Sequence, residues 1–239
     1  MTLCRLSRKL VLITVMINDL ALLRLLQLVS PGLPIGMYSY SQGLERAIDD
    51  GWVTTSAEVH EWLEGLLEHG LTQIDLPVMM RLYDAWTLAD NEAVVRWSKT
   101  LTACRETAEL RAEDRQTGQA LARLLVALEL DDAAEWLRKP EATFATLFSL
   151  AAVRWAIPKH EAAIGYLWSW LENQVLCAVK LVPLGQVAGQ RLLIALAARL
   201  PEQVNRALLL ADDEIGSSAF GLALASSRHE TQYSRLFRS

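Results

Sequence analysis

The side chains best suited to chemistry in this chain are few and poorly spaced for it. There are four histidines, His60, His69, His160 and His229. His60-Glu61 opens like a zincin motif, but that chemistry needs a second histidine four residues on, and Glu64 stands there. His229-Glu230-Thr231-Gln232 fails in the same way, because Tyr233 follows. His60, Glu64 and Glu68 do share one helix face at i, i+4 and i+8, which reads either as a solvated acidic face or as a weak divalent-cation site. The three cysteines, Cys4, Cys104 and Cys177, form neither a disulfide framework nor a metal cassette. That usage fits a reducing, cytoplasmic setting. Neither a G-x-S-x-G elbow nor a G-x-x-x-x-G-K phosphate loop occurs. The expectation is therefore no enzyme: no catalytic residue, no metal-ligand set and no cofactor site.

Residues suited to recognition are more plentiful. A loop with two prolines and two glycines, Ser30 to Gly36, leads into Tyr38, Ser39, Tyr40 and Gln42. Tyrosines in a rigid turn offer contact area at low entropy cost. Gly185-Gln186 and Gly189-Gln190 stack two glycines and two amides at i, i+4, so another backbone could approach closely there. This is either packing inside the bundle or a partner interface. Lys180 closes an apolar helix just before Pro183, as a snorkelling cap or a contact residue. The chain ends with Arg228, His229, Glu230, Tyr233, Arg235, Phe237 and Arg238. Arginines mixed with aromatics are the anchors of protein interfaces. None of the three arginines has an acidic neighbour at helical spacing except Glu230. The expectation is a loosely held tail that orders on a partner and whose removal leaves the fold standing.

These side chains must be positioned by helices. Periodicity predicts Leu20–Val29 capped by Asp19, a short helix over Gln42–Asp49, and one opened by the Thr55-to-Glu58 capping box that stops near Gly70. Further helices are expected over Ile74–Leu88, Glu92–Cys104, Arg105–Leu128, Ala142–Ala156, Glu161–Lys180, Val187–Leu200 and Glu202–Leu210. The leucines of the first cover nearly its whole circumference, which suits the middle of a bundle or a partner. The fold class is all-α: one irregular helical bundle over 19–239, with a flexible C-terminal tail from about 226. Residues 1–18 form an N-terminal extension. Arg5, Arg8 and Lys9 before the apolar run Leu10–Ile17 imitate a signal peptide, yet Asn18 and Asp19 follow and no cleavage pattern does. The run is too short to span a membrane. Met16 stands just before the first helix, so residues 1–15 read as an over-extended start. The chain is 52% hydrophobic with a net charge of −5. Disorder is excluded, and so is an electrostatic grip on nucleic acid.

Two stretches carry a resemblance. Leu22 to Pro31, Leu33 to Gly36, Tyr38 to Glu45 and Gly51-Trp52-Val53 resemble the N-terminal signature of the UreF family of urease accessory proteins. Lys180 to Gln186, Gly189-Gln190 and the terminal HETQYSRLFRS resemble its C-terminal signatures, and Asp75-Leu76-Pro77 and Glu109-Leu110-Arg111 are also similar. The resemblance implies a non-enzymatic, usually homodimeric, all-α chaperone. Such a protein works with UreD (UreH in some organisms) and the GTPase UreG on apo-urease, where nickel is inserted. Two other classes stay open: a regulator lending Arg235 or Arg238 to a GTPase transition state, and a metal-dependent hydrolase using His60.

Overall fold

The computed structural model describes residues 17–239; the predicted extension before Ile17 lies outside the described residues. Among the described residues every regular element is helical. The chain runs through α1 (Asp19–Leu28), α2 (Leu44–Asp49), α3 (Ser56–Leu66), α4 (Leu76–Thr87), α5 (Asn91–Ala103) and α6 (Ala108–Ala127). It continues through α7 (Phe144–Arg154), α8 (Lys159–Leu181), α9 (Gln186–Ala197), α10 (Leu200–Leu209) and α11 (Phe220–His229).

The centre is α7, whose residues Phe144 to Ala152 are all buried. Buried hydroxyls there need partners. Ser149 bonds its own helix, while Thr146 meets Ser98 of α5 at 2.7 Å. Around α7 stand α4, α5, α6 and α8. Phe144, Phe148 and Tyr166 form one aromatic knot with ring centroids 5.3–5.5 Å apart.

Three elements differ from the sequence expectation. Asn18, not Asp19, caps α1, its side chain accepting from Ala21 N at 2.9 Å. Gly70 does not end α3. The helix widens instead into a π-helical stretch, Leu67–Asp75, that runs straight into α4. Pro77 explains the geometry. It has no N–H to give the carbonyl of Gln73, and that carbonyl accepts from Gly216 N at 3.1 Å instead. Finally, α11 follows the Gly216-Ser217-Ser218 break, where Gly221 and two serines hid it from periodicity.

Helix α1 lies on α8 at Gly165, where a Cβ would come within 2.6 Å of Leu25 Cδ1. Only part of its apolar circumference is used: Leu20, Leu23 and Leu26 are more than half exposed. The tightest approach is on α6. A Cβ at Gly118 would sit 2.0 Å from the carbonyl oxygen of Ala142, in the turn that opens α7. Backbone cannot yield as a side-chain tip can, so Gly118→Ala is expected to cost about 3 kcal/mol or more by urea denaturation. Gly65→Ala on α3, where a Cβ meets nothing within 4 Å, is expected to be neutral or to gain up to about 1 kcal/mol.

Candidate functional site

The recognition residues converge on one face of the molecule, where the 36–43 loop, α2, α6 and the end of the chain meet. The loop is shaped by backbone that only a few residues tolerate. Gly36 and Gly43 have φ near +75°, and Gln42, a non-glycine, sits at +51°. Gln42 is held there by its amide, which donates to Glu113 Oε1 at 2.8 Å and accepts from Trp170 Nε1 at 2.7 Å. Side-chain bonds of this kind offset the local strain. At Gly43 a Cβ would stand 3.1 Å from Ala225 Cβ, which lets α11 lie directly on the loop.

The tail was expected to hang loose; the structure lays it on the body. Phe237 and Ser239 are buried, and His229 is fully so. Glu45 of α2 accepts from the backbone of Leu236 (2.7 Å) and Phe237 (2.9 Å), with His229 Nε2 at 3.4 Å. Glu109 of α6 takes His229 Nδ1 and Arg235 Nη1, each at 2.7 Å. One turn on, Glu113 Oε2 accepts from Ser239 Oγ at 2.9 Å. The Ser239 carbonyl accepts from Ser41 N at 3.0 Å, and Arg238 N donates to Ser39 O at 2.8 Å. Glu230 reaches back to cap α6, accepting from Ala108 N at 2.8 Å. Arg228 pairs with Asp50 at 2.9 Å over the Trp52 ring. Arg46 and then Arg228 hold the Asp50 carboxyl below its ordinary range.

The reason for the correction is that the arginines' partners lie far away in sequence. Within the tail itself Glu230 is the one acidic side chain, and it is turned to α6. Across the fold, Glu109, Glu113 and Gln116 present one face of α6 at i, i+4 and i+7, and the tail lies along it. Glu113 and Gln116 are the site residues that sequence reasoning missed, while Glu45 and Glu109 entered only within the stretches that carry the resemblance. The i, i+4, i+7 spacing of Glu109, Glu113 and Gln116 on a predicted helix is the signal that could have found them. Removing residues 233–239 would take from Glu45, Glu109 and Glu113 the donors at Leu236, Phe237, Arg235 and Ser239, so the deletion is expected to lower stability in a urea melt.

The other sequence candidates divide. Tyr38 is 62% exposed beside the groove formed by Gln116, Gln119, Arg123 and Arg238. Tyr40 is buried, its hydroxyl donating to Gln116 Oε1 at 2.8 Å, so it is a bracing residue and not a surface one. Lys180 lies 5.7 Å from the Phe237 ring centroid. Gln186 and Gln190 sit exposed on α9, away from these contacts. Of the paired glycines only Gly189 serves a close approach, and it is to Val179 of this chain's own α8.

Beneath the face is a partly open cavity of about 70 Å³ whose lining mixes apolar side chains with Gln42, Asp75, Arg105, Glu113, Asp114 and Tyr166. Arg105 bridges Asp75 (3.0 Å from Nη1) and Asp114 (2.7 Å from Nε). Burial raises the Asp114 carboxyl even with Arg105 beside it. Burial likewise pushes the Glu113 carboxyl up to about 7 and the Cys177 thiol up to about 12. A thiol so high is inert at neutral pH.

The His60 face is spoken for as well. Arg199 bonds both Glu64 and Glu68, the latter at 2.8 Å. Among the described residues no group of three His, Cys, Asp or Glu side chains is placed to hold a metal ion. No described helix is long and apolar enough to cross a membrane.

Residues 53–197 match the UreF family. The urease accessory protein UreF of Alkalilimnicola ehrlichii is 56% identical over 220 residues, 92% of this chain and 96% of that relative. Those of Hahella chejuensis and Teredinibacter turnerae are 49% and 50% identical, covering 92% and 91% of this chain and 99% and 98% of theirs. The chain belongs to the UreF family. Its tail and the 36–43 loop fall outside the matched family segment.

The buried Glu113 makes stability depend on pH. Its carboxyl titrates near 7 in the fold against 4.5 as the reference value. The folded state therefore holds this proton more tightly, and the advantage is lost as pH rises from about 4.5 to about 7. The span corresponds to about 3 kcal/mol. Glu113→Gln should be more stable relative to the parent at pH 8 than at pH 5, by up to that amount, in urea melts at the two pH values. Equal differences at both would show that Glu113 titrates normally.

Proposed function

We propose that this protein is a non-catalytic adaptor of urease maturation in the cytoplasm. It joins UreD (UreH) and the GTPase UreG on apo-urease, and nickel passes as cargo to the urease site. Family membership supports the setting. The observation that carries the adaptor role is the way the tail is fastened. Its polar groups are anchored to Glu45, Glu109 and Glu113, while Tyr233 is fully exposed and Leu236 is 66% exposed. Apolar groups held outward on an ordered support are what a binding hot spot requires, because the ordering cost has already been met. Tyr38, beside Arg238, extends the same face.

The exposed side chains can be removed without touching the fastening. Tyr233→Ala with Leu236→Ser should leave the melting temperature of the chain unchanged and weaken capture of UreD and UreG by about tenfold or more, a typical hot-spot loss. Urease activation in cells should fall in step. Full capture by the double variant would refute the adaptor face.

The exposed stripe of Leu20, Leu23 and Leu26 fits a second copy of this chain. Isologous pairing would bury leucines that are costly to leave in water. Sedimentation should give a dimer at tens of micromolar, and Leu23→Glu a monomer. A monomeric parent would refute the dimer.

A further inference from the structure

The arginines of this fold divide into two kinds. Arg81, Arg105, Arg154, Arg199, Arg228 and Arg235 each pair with a carboxylate. Among the described residues Arg115, Arg123 and Arg238 pair with none, although all three are exposed and the chain carries a net charge of −5. Two of them line one groove. It runs between α6 and the 36–43 loop, with Ile35, Tyr38 and Ser39 on the loop side and Gln119, Ala120 and Arg123 from α6. Arg238 enters from the tail, its Nη1 donating to Gln116 Oε1 at 3.4 Å and its backbone N–H to Ser39 O at 2.8 Å. Among the described residues that line the groove none is acidic. Its volume of about 270 Å³ is far beyond the share of one water, about 30 Å³. Arg115 stands one turn before Gln119 on the exposed side of α6, eight residues from Arg123, a span of about 12 Å.

We propose that this groove docks an acidic segment of another protein chain, taken up in extended form. A guanidinium presents its N–H groups in the fork that a carboxylate accepts. Arg123 and Arg238 bring two such forks to one groove, and their like charges are better accommodated once an anion joins them. Two carboxylates four residues apart in an extended peptide lie about 13 Å apart, close to the span from Arg115 to Arg123. The remaining lining suits a peptide. Tyr38, 62% exposed, offers its ring to side chains. Gln116, whose oxygen serves Tyr40 and Arg238, keeps its N–H groups for a main-chain carbonyl. A long phosphate backbone is disfavoured, because the chain as a whole is acidic and repels it. Docking of this kind does not depend on the adaptor edge of Tyr233 and Leu236, and neither UreD nor UreG is needed to test it.

Fluorescence anisotropy of a labelled octaglutamate peptide with blocked ends, titrated with the full chain at neutral pH and low salt, reads the docking. The parent should bind it saturably at one site. Arg123→Gln and Arg238→Gln should each weaken binding about tenfold, the loss of one charge-assisted contact, and Arg115→Gln should weaken it less. Arg115 and Arg123 are exposed and unpaired, so their variants should keep the parent's melting temperature, which separates lost docking from lost fold. Arg191→Gln, at an exposed arginine of α9 outside the groove, should bind as the parent does. Tyr38→Ala should weaken binding about threefold, which attraction between charges alone would not produce. An oligothymidylate of the same charge should bind about tenfold more weakly than the peptide. A parent without saturable binding, an equal loss in Arg191→Gln and Arg123→Gln, an unchanged Tyr38→Ala variant, or an oligothymidylate held as tightly as the peptide would each overturn the docking groove.

Discussion

The arrangement turns on Arg105. It stands in the short connection between α5 and α6, largely buried, with Asp75 on one side and Asp114 on the other. One planar guanidinium with fixed donors can satisfy two carboxylates only in one relative placement. It therefore sets the start of α6 against the end of the π-helical stretch, with the Tyr166 hydroxyl of α8 also 3.4 Å from Asp75. The net contribution of such a buried group to stability is small once desolvation is counted, while losing one partner is costly. What it supplies is position. Eight residues beyond Arg105, Glu113 begins to take the tail, and its register on α6 follows from where that helix is pinned.

The same position is approached from the other direction by the widened helix. Pro77 leaves the Gln73 carbonyl without its α-helical donor, and the amide of Gly216 fills the place. That bond fastens the chain ahead of α11. From there α11 crosses α2 over Gly43 and delivers His229 between Glu45 and Glu109. Thr107 and Ser226 meet at 2.7 Å on the way, and Glu230 closes the free end of α6. A proline-driven change of helix pitch and a buried arginine thus act on opposite ends of one face.

Local physics was legible in the sequence. The Thr55-to-Glu58 capping box, the period of α8 and the Ser30–Gly36 break stand where spacing puts them. What could not be read is what depends on distance along the chain. Gly70 looks like a stop unless one knows that Gly216 will support the widened turn. The tail looks free because Leu236 and Glu45 are 191 residues apart, and Ser239 and Glu113 126. Tyr38 and Tyr40 look alike in sequence, yet the left-handed turns at Gly36 and Gln42 send one outward and the other onto Gln116. The Gly-Gln pairs illustrate the converse: a pattern suited to an interface was met by this chain's own Val179.

The manner of fastening also decides what kind of element the tail can be. Ordering each of its residues costs about 1–2 kcal/mol of backbone entropy. Against this stands one buried aromatic, Phe237, contributing about 2 kcal/mol, while the other apolar side chains, Tyr233 and Leu236, face outward. The remainder must come from hydrogen bonds to carboxylates, each about 1.5–3 kcal/mol. A segment held by apolar burial alone would yield only with its core. One held by acids depends instead on where those acceptors stand, and the body packed around α7 fixes their places.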